Sequence, residues 1–180
     1  MADLTVPVHQ DDHVQGPATA PVTLVEYADY ECPYCADAYP VVQEIQRQLG
    51  SRLRFVYRHF PRSDVHPHAR HAAEAAEAAG AQGKFWEMDE MLFEQQQALT
   101  NADLERYAAD LDLTMDTFKQ AMAQHSYAQR VQEDITGGTH SGVRGTPTFF
   151  INGMRHDDTY TLDVLLPAIT KAPGSQEDQG

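Results

Sequence analysis

The spacing of apolar residues changes several times along the chain, and each change marks an element. Val22 to Ala28 is a β-branched apolar run that stops at Asp29, the pattern of a buried strand. From Cys32 the period becomes helical: Tyr39, Val42, Ile45 and Leu49 recur on one face until Gly50, which predicts a helix closed by a glycine. Arg52 to Phe60 then alternates Leu53, Phe55 and Tyr57 with arginines, predicting a second strand that ends at Pro61. Ahead of this strand–helix–strand unit, Leu4 to Val8 reads as a short edge strand and residues 9–21 as an irregular, Asp-, Gly- and Pro-rich stretch.

From His68 to about Gly138 the pattern is helical throughout. Alanine-rich His68 to Ala79 is a strong helix former, Lys84 to Gln96 places Phe85, Met88, Met91 and Leu92 on one face, and Asn101 to Leu111 repeats Leu104, Tyr107, Ala108 and Leu111. Thr114 is placed to cap a further helix carrying Phe118, Ala121, Met122 and His125 and continuing past Tyr127 to Val131 and Ile135. Three or four helices are therefore expected. After Gly137-Gly138, Thr148 to Ile151 is β-rich, Asn152-Gly153 is a strong hairpin signal, Met154 to Asp157 pairs back, and Leu162 to Lys171 forms a last helix. The expected organisation is a lead-in over 1–21, an α/β domain over 22–172 with a helical insertion at about 65–138, and a flexible tail over 173–180.

Composition narrows the class. A chain of 180 residues with 42% hydrophobic positions supports one core. No apolar run approaches the roughly 18 residues that span a bilayer, and Met1 to Gln10 lacks a secretory pattern. The expectation is a soluble, monomeric, cytoplasmic protein with no membrane partner; an envelope location would require a signal sequence already removed. Thirteen basic against 27 acidic residues give −14, which opposes binding to nucleic acid or anionic lipid. The arginines from Arg47 to Arg70 read as a solvated face.

The chemistry lies in the cysteines. There are two, Cys32 and Cys35, in one Cys-Pro-Tyr-Cys unit, so the pair is either redox-active or half of a metal site. Zinc would need two further ligands, and the nearest histidine pair, His66 and His68, is split by Pro67 in a way unlike a metal-binding helix face. No metal and no cofactor are expected. A thiol–disulfide exchange catalyst needs one sulfur that is thiolate near neutral pH and a second that resolves the mixed disulfide. At a helix start Cys32 meets unpaired N–H groups and the positive dipole end, Cys35 lies one turn deeper, and Pro33 has no N–H to lose. Asp29 and Glu31 oppose the thiolate, and Tyr34 brings no positive charge, so a moderately stabilised thiolate is expected.

Glu26 to Cys35, together with Gly145-Thr146-Pro147-Thr148-Phe149-Phe150-Ile151-Asn152-Gly153 more than a hundred residues later, resembles the DsbA-like branch of the thioredoxin superfamily over about residues 20 to 172. The resemblance implies a thioredoxin fold with a helical insertion and a protein dithiol–disulfide oxidoreductase: oxidase, reductase or isomerase. It implies Cys32 as nucleophile and Cys35 as resolving cysteine. It also implies Pro147 as a cis-proline with Thr146 presenting backbone groups to a bound peptide beside Pro33 and Tyr34, and Glu26 as a buried acid exchanging a proton with Cys35. Tyr34 stands where strongly oxidising DsbA enzymes carry histidine, and with Thr146 it brings the motif closer to DsbG-like proteins. The implied partners are protein thiols and disulfides, with glutathione or a redox partner protein completing the cycle. The competing reading is a redox-sensing, chaperone-like peptide-binding module of the same fold.

Overall fold

The computed structural model describes residues 3–174. Of the expected tail, residues 175–180 lie outside the described residues, as do residues 1 and 2 of the lead-in. The chain divides into two compact units. One takes the residues up to Ala28, Asp37–Arg58 and those from Gly137 onward; the other takes Asp29–Ala36 and His59–Thr136.

The first unit is built on a sheet of strands β1 (His13–Gln15), β2 (Val22–Ala28), β3 (Leu53–His59), β4 (Thr148–Ile151) and β5 (Met154–His156), in the spatial order β1-β3-β2-β4-β5. The uninterrupted apolar runs of β2 and β3 occupy its centre, where both faces are covered. Helix α1 (Pro33–Leu49) links them and stops where Gly50 takes φ +52, a left-handed conformation that glycine adopts without steric cost. Strand β4 runs antiparallel to β2 with Glu26 opposite Phe149 and Tyr27 opposite Thr148. The β4–β5 hairpin turns on Asn152 and Gly153, both at positive φ as a two-residue primed turn requires.

The lead-in departs from expectation. Residues 4–8 form no strand; the short strand is β1, antiparallel to β3 with His13 opposite Tyr57. The reason is Arg58. Its guanidinium is buried and donates to both carboxylate oxygens of Asp12 at 2.9 and 2.8 Å, to the backbone carbonyls of Val6 and Pro7, and to the Tyr27 hydroxyl. Val6 and Pro7 thus spend their carbonyls on a charge instead of a ladder. The arginine stretch is correspondingly not one solvated face: Arg47 pairs with Glu44 at the surface, whereas Arg58 is the largest fully buried side chain.

The second unit is helical. Among the described residues it holds α2 (Ala69–Gly80), α3 (Phe85–Glu94), α4 (Asn101–Asp110), α5 (Met115–Ala123) and the first part of α6 (Ala128–His140), one more helix than expected. The apolar period carries across Gln124–Tyr127, but His125 adopts φ +51 and splits the segment into α5 and α6. Thr100 caps α4 in a reciprocal box with Asp103, while Thr114 starts α5 without a side-chain bond. Gly137-Gly138 does not end a helix either; it lies inside α6, where a Cβ on Gly137 would meet Val6 Cγ2 at 3.0 Å. Small side chains let α2 approach α3, α4 and α5 closely, burying most of its alanines.

Two buried acids give the fold opposite pH dependences. Burial pushes the Asp12 carboxyl up, but the Arg58 hydrogen bonds, the His9 backbone N–H and the Arg58 charge outweigh it and hold the group below its usual 3.8. Its stabilisation is complete above about pH 4 and is lost as pH falls through the depressed value. Asp12→Asn should cost about 3–5 kcal/mol in urea unfolding at pH 7, since the guanidinium stays buried without its partner charge. Asp89 is the reverse case: burial raises it to about 7, against the opposing Tyr30 hydroxyl, which donates to it at 2.8 Å. Protonation favours the folded state, so stability falls as pH rises from about 4 to 7. Asp89→Asn should flatten melting temperature against pH across that window, and an unchanged slope would assign the dependence to another group.

Candidate active site

The strand β2 ends at Ala28, and the next four residues turn the chain into α1. Cys32 N–H donates to the Asp29 carbonyl at 3.1 Å, and the Cys32 carbonyl accepts from Cys35 and Ala36 N–H at 3.1 and 3.2 Å. Cys32 is therefore the N-cap, Pro33 the first helical residue and Cys35 one turn in. The two cysteines are in the dithiol form and buried, Cys32 at 4% exposure and Cys35 at 0%, while Tyr34 between them is 63% exposed. A further clamp comes from Gln96, whose amide donates to the carbonyls of Tyr30 and Cys32 at 2.9 and 2.7 Å.

Asp29 organises this turn. Its backbone N–H points to Cys35 Sγ at 3.5 Å. One carboxylate oxygen accepts from Glu31 N–H at 2.7 Å; the other accepts from Arg62 N–H at 2.8 Å and from His66 Nδ1 at 2.7 Å. Glu31 is engaged too, accepting from His68 N–H at 2.7 Å. The acids expected to oppose a Cys32 thiolate are thus spent on the loop that follows β3. That loop supplies a cation as well: the Arg62 guanidinium is held above its ordinary pKa chiefly by its hydrogen bond to Asp64, against desolvation, with the charges of Asp64, Asp29 and Cys32 adding to it.

Of the residues expected from sequence, Cys32, Pro33, Tyr34 and Cys35 stand together in the second unit. Glu26, Thr146 and Pro147 belong to the first. Glu26 is 4% exposed on β2 and so is no solvated strand end. Two residues before its cross-strand partner Phe149 comes Pro147, joined to Thr146 by a cis peptide bond. The sequence reading missed Asp29 as an organiser, and it missed Arg62, His66 and Gln96. An acid directly after a buried strand and three residues before a helix-start cysteine was the one available signal. Arg62 sits in a stretch without periodicity, and Gln96 ends a helical stretch whose periodicity marks only its apolar face.

Asp29→Asn keeps the size of the side chain but turns one acceptor oxygen into a donor facing donors. It should lower stability by about 2–4 kcal/mol in chemical unfolding and speed alkylation of Cys32 by iodoacetamide as the turn loosens. Unchanged alkylation in a destabilised variant would separate the fold from the dithiol turn.

A family model described as thioredoxin matches residues 9–171. A sodium/proton antiporter, NhaA 1 of Salinispora arenicola, is 52% identical over 171 residues, covering 94% of this chain but 26% of the antiporter. The chain therefore spans about a quarter of the length of the curated relatives it matches. Among solved structures, oxidised BdbD of Bacillus subtilis superposes with a TM-score of 0.79 at 25% identity, covering 88% of this chain and 90% of that one. A thioredoxin-like oxidoreductase from Silicibacter pomeroyi gives 0.77 at 26% identity, covering 88% and 90%. These likenesses bear out the α/β thioredoxin fold with a helical insertion. They overturn the expectation of a cytoplasmic protein: relatives matching nearly the whole chain are named as antiporters, which work in a membrane, and nothing among the comparisons supports the cytoplasm. Among the described residues no helix is long and apolar enough to cross a membrane. The α/β sheet, the helical insertion, the Cys-Pro-Tyr-Cys turn and the family match together establish that the chain belongs to the thioredoxin family.

Proposed function

We propose that this domain is a thiol–disulfide oxidoreductase that exchanges disulfides with protein substrates through Cys32 and Cys35. The observation that carries it is the placement of the pair, with Cys32 capping α1 and Cys35 buried one turn deeper beside the Asp29 amide. In the oxidising direction a substrate thiolate attacks Cys32 of the disulfide, the Cys32–Cys35 bond breaks, and Cys35 leaves as a thiolate that takes up a proton. A second substrate thiolate then attacks the substrate sulfur of the mixed disulfide and releases Cys32. The substrate loses two electrons and two protons, and the dithiol gains them. In the reducing direction Cys32 attacks and Cys35 resolves.

Glu26, buried on β2, is the proposed proton exchanger for Cys35, and burial is what suits a carboxyl to that task. Thr146 and Pro147 are proposed to receive the extended substrate, with Pro33 and exposed Tyr34 flanking the nucleophile. A pocket of about 300 Å³ next to Pro147, lined by Arg144, Phe149, Arg155 and Tyr160, supports side-chain binding there. The domain, with the lead-in that pairs Arg58, is proposed to act as a monomer, and glutathione or a redox partner protein recycles it. Because its relatives carry the matching part within antiporters, a membrane-bound polypeptide is the proposed setting.

Cys35→Ser should accumulate mixed disulfides with client proteins on non-reducing gels, because Cys32 still attacks and nothing within the protein resolves the product. Cys32→Ser should abolish insulin reduction. If Cys32→Ser keeps the full effect of the parent on scrambled ribonuclease, the chaperone-like reading replaces this one; equal trapping by Cys32→Ser reverses the assignment of the two sulfurs.

A further inference from the structure

Away from the dithiol turn, three potential metal ligands converge within the helical unit. His71 and Glu74 stand three residues apart on α2 and so share a face, and His125 comes from the break between α5 and α6. One donor atom from each lies within 4.8 Å of the other two. His125 Nδ1 is 3.1 Å from Glu74 Oε1, close to the roughly 3.3 Å that separates adjacent donors around a tetrahedral zinc with bonds of about 2.0–2.1 Å. We propose that His71, Glu74 and His125 form a binding site for a divalent transition-metal ion of the zinc type.

Four features support the assignment. Glu74 is 3% exposed, and among the described residues its one hydrogen-bond or ion-pair partner is His125. A buried carboxylate with a single imidazole neighbour is poorly compensated, and a cation corrects this. His71 Nδ1 lies 3.1 Å from Asn101 Oδ1. An amide oxygen only accepts, so Nδ1 carries the proton and Nε2 keeps the lone pair a metal needs, an outer hydrogen bond of the kind that orients metal-binding histidines. His125 stands at the α5–α6 break with φ +51, and its ring lies beside that of His71 on α2, the ring centroids 5.8 Å apart. Its side chain is 57% exposed, and a cavity of about 290 Å³ lined by His71, Asn101, Glu105, Lys119, Met122 and His125 opens beside it, so an ion can enter and keep a water at its fourth position.

Two histidines and one glutamate are a donor set that zinc takes with one position left open. The ion would tie α2 to the α5–α6 break, whose ligands lie 51 residues apart in sequence. The short spacing of His71 and Glu74 is legible in the sequence, but that separation hides the third ligand.

The test is zinc titration of the full chain carrying Cys32→Ser and Cys35→Ser, which removes the dithiol as a competing ligand pair, read by competition with a chromophoric chelator. The expected result is one zinc per chain and a melting temperature that rises with zinc. His71→Ala and His125→Asn should each weaken binding by about tenfold or more and abolish the thermal shift. Asparagine tolerates positive φ, so His125→Asn folds, while His140→Ala serves as a control expected to bind as the parent does. No zinc binding by the dithiol-free chain, or equal binding by His71→Ala and His125→Asn, overturns the site. The outcome is independent of whether Cys32 and Cys35 exchange disulfides.

Discussion

The dithiol turn rests on the carboxylate of Asp29. A chain leaving a central strand has to bend sharply to start a helix, and the bend exposes backbone donors that the helix itself does not satisfy. Asp29 takes Glu31 N–H, Arg62 N–H and His66 Nδ1 on its two oxygens, while its own N–H and C=O reach Cys35 Sγ and Cys32 N–H. Five contacts through one residue leave the two sulfurs little freedom. They also make the segment after β3 part of the turn, since Arg62 and His66 are fixed by the same carboxylate.

Charge at this turn is therefore set by placement more than by composition. A chain with a net charge of −14 still brings Arg62 and His66 to the dithiol turn, and the nearby acids accept hydrogen bonds from N–H groups there. Tyr30 links the turn to a further buried acid. Its carbonyl is held by Gln96, and its hydroxyl donates to Asp89, whose carboxyl burial has raised to about 7. Proton uptake by Asp89 near neutrality thus takes place at a hydrogen-bond partner of Tyr30, two residues before Cys32.

Local pattern carried much of the fold. The strands over Val22 to Ala28 and Thr148 to Ile151, the Asn152-Gly153 hairpin and the glycine-closed first helix were legible because each depends on period and turn chemistry inside a short window. What escaped depended on distant partners. His125 looks like one more residue on a helical stripe until its φ is known, and Gly137-Gly138 looks like a terminator until Val6 is seen against it. The site divides in the same way. Cys32 and Cys35 announce themselves by spacing, whereas Gln96 and Arg62 act through contacts made across 64 and 33 residues.

The buried Arg58 carries a consequence for where the domain can be said to begin. Hydrophobic patterning places the first core strand at Val22, and an excision starting there would look harmless on sequence grounds. The guanidinium of Arg58, however, draws its neutralising charge from Asp12 and two of its acceptors from the carbonyls of Val6 and Pro7. Cutting the lead-in away would strand a full positive charge in the interior of the sheet. Through Asp12, Val6 and Pro7 the irregular lead-in supplies the counter-ion and the acceptors that one buried arginine of the core requires.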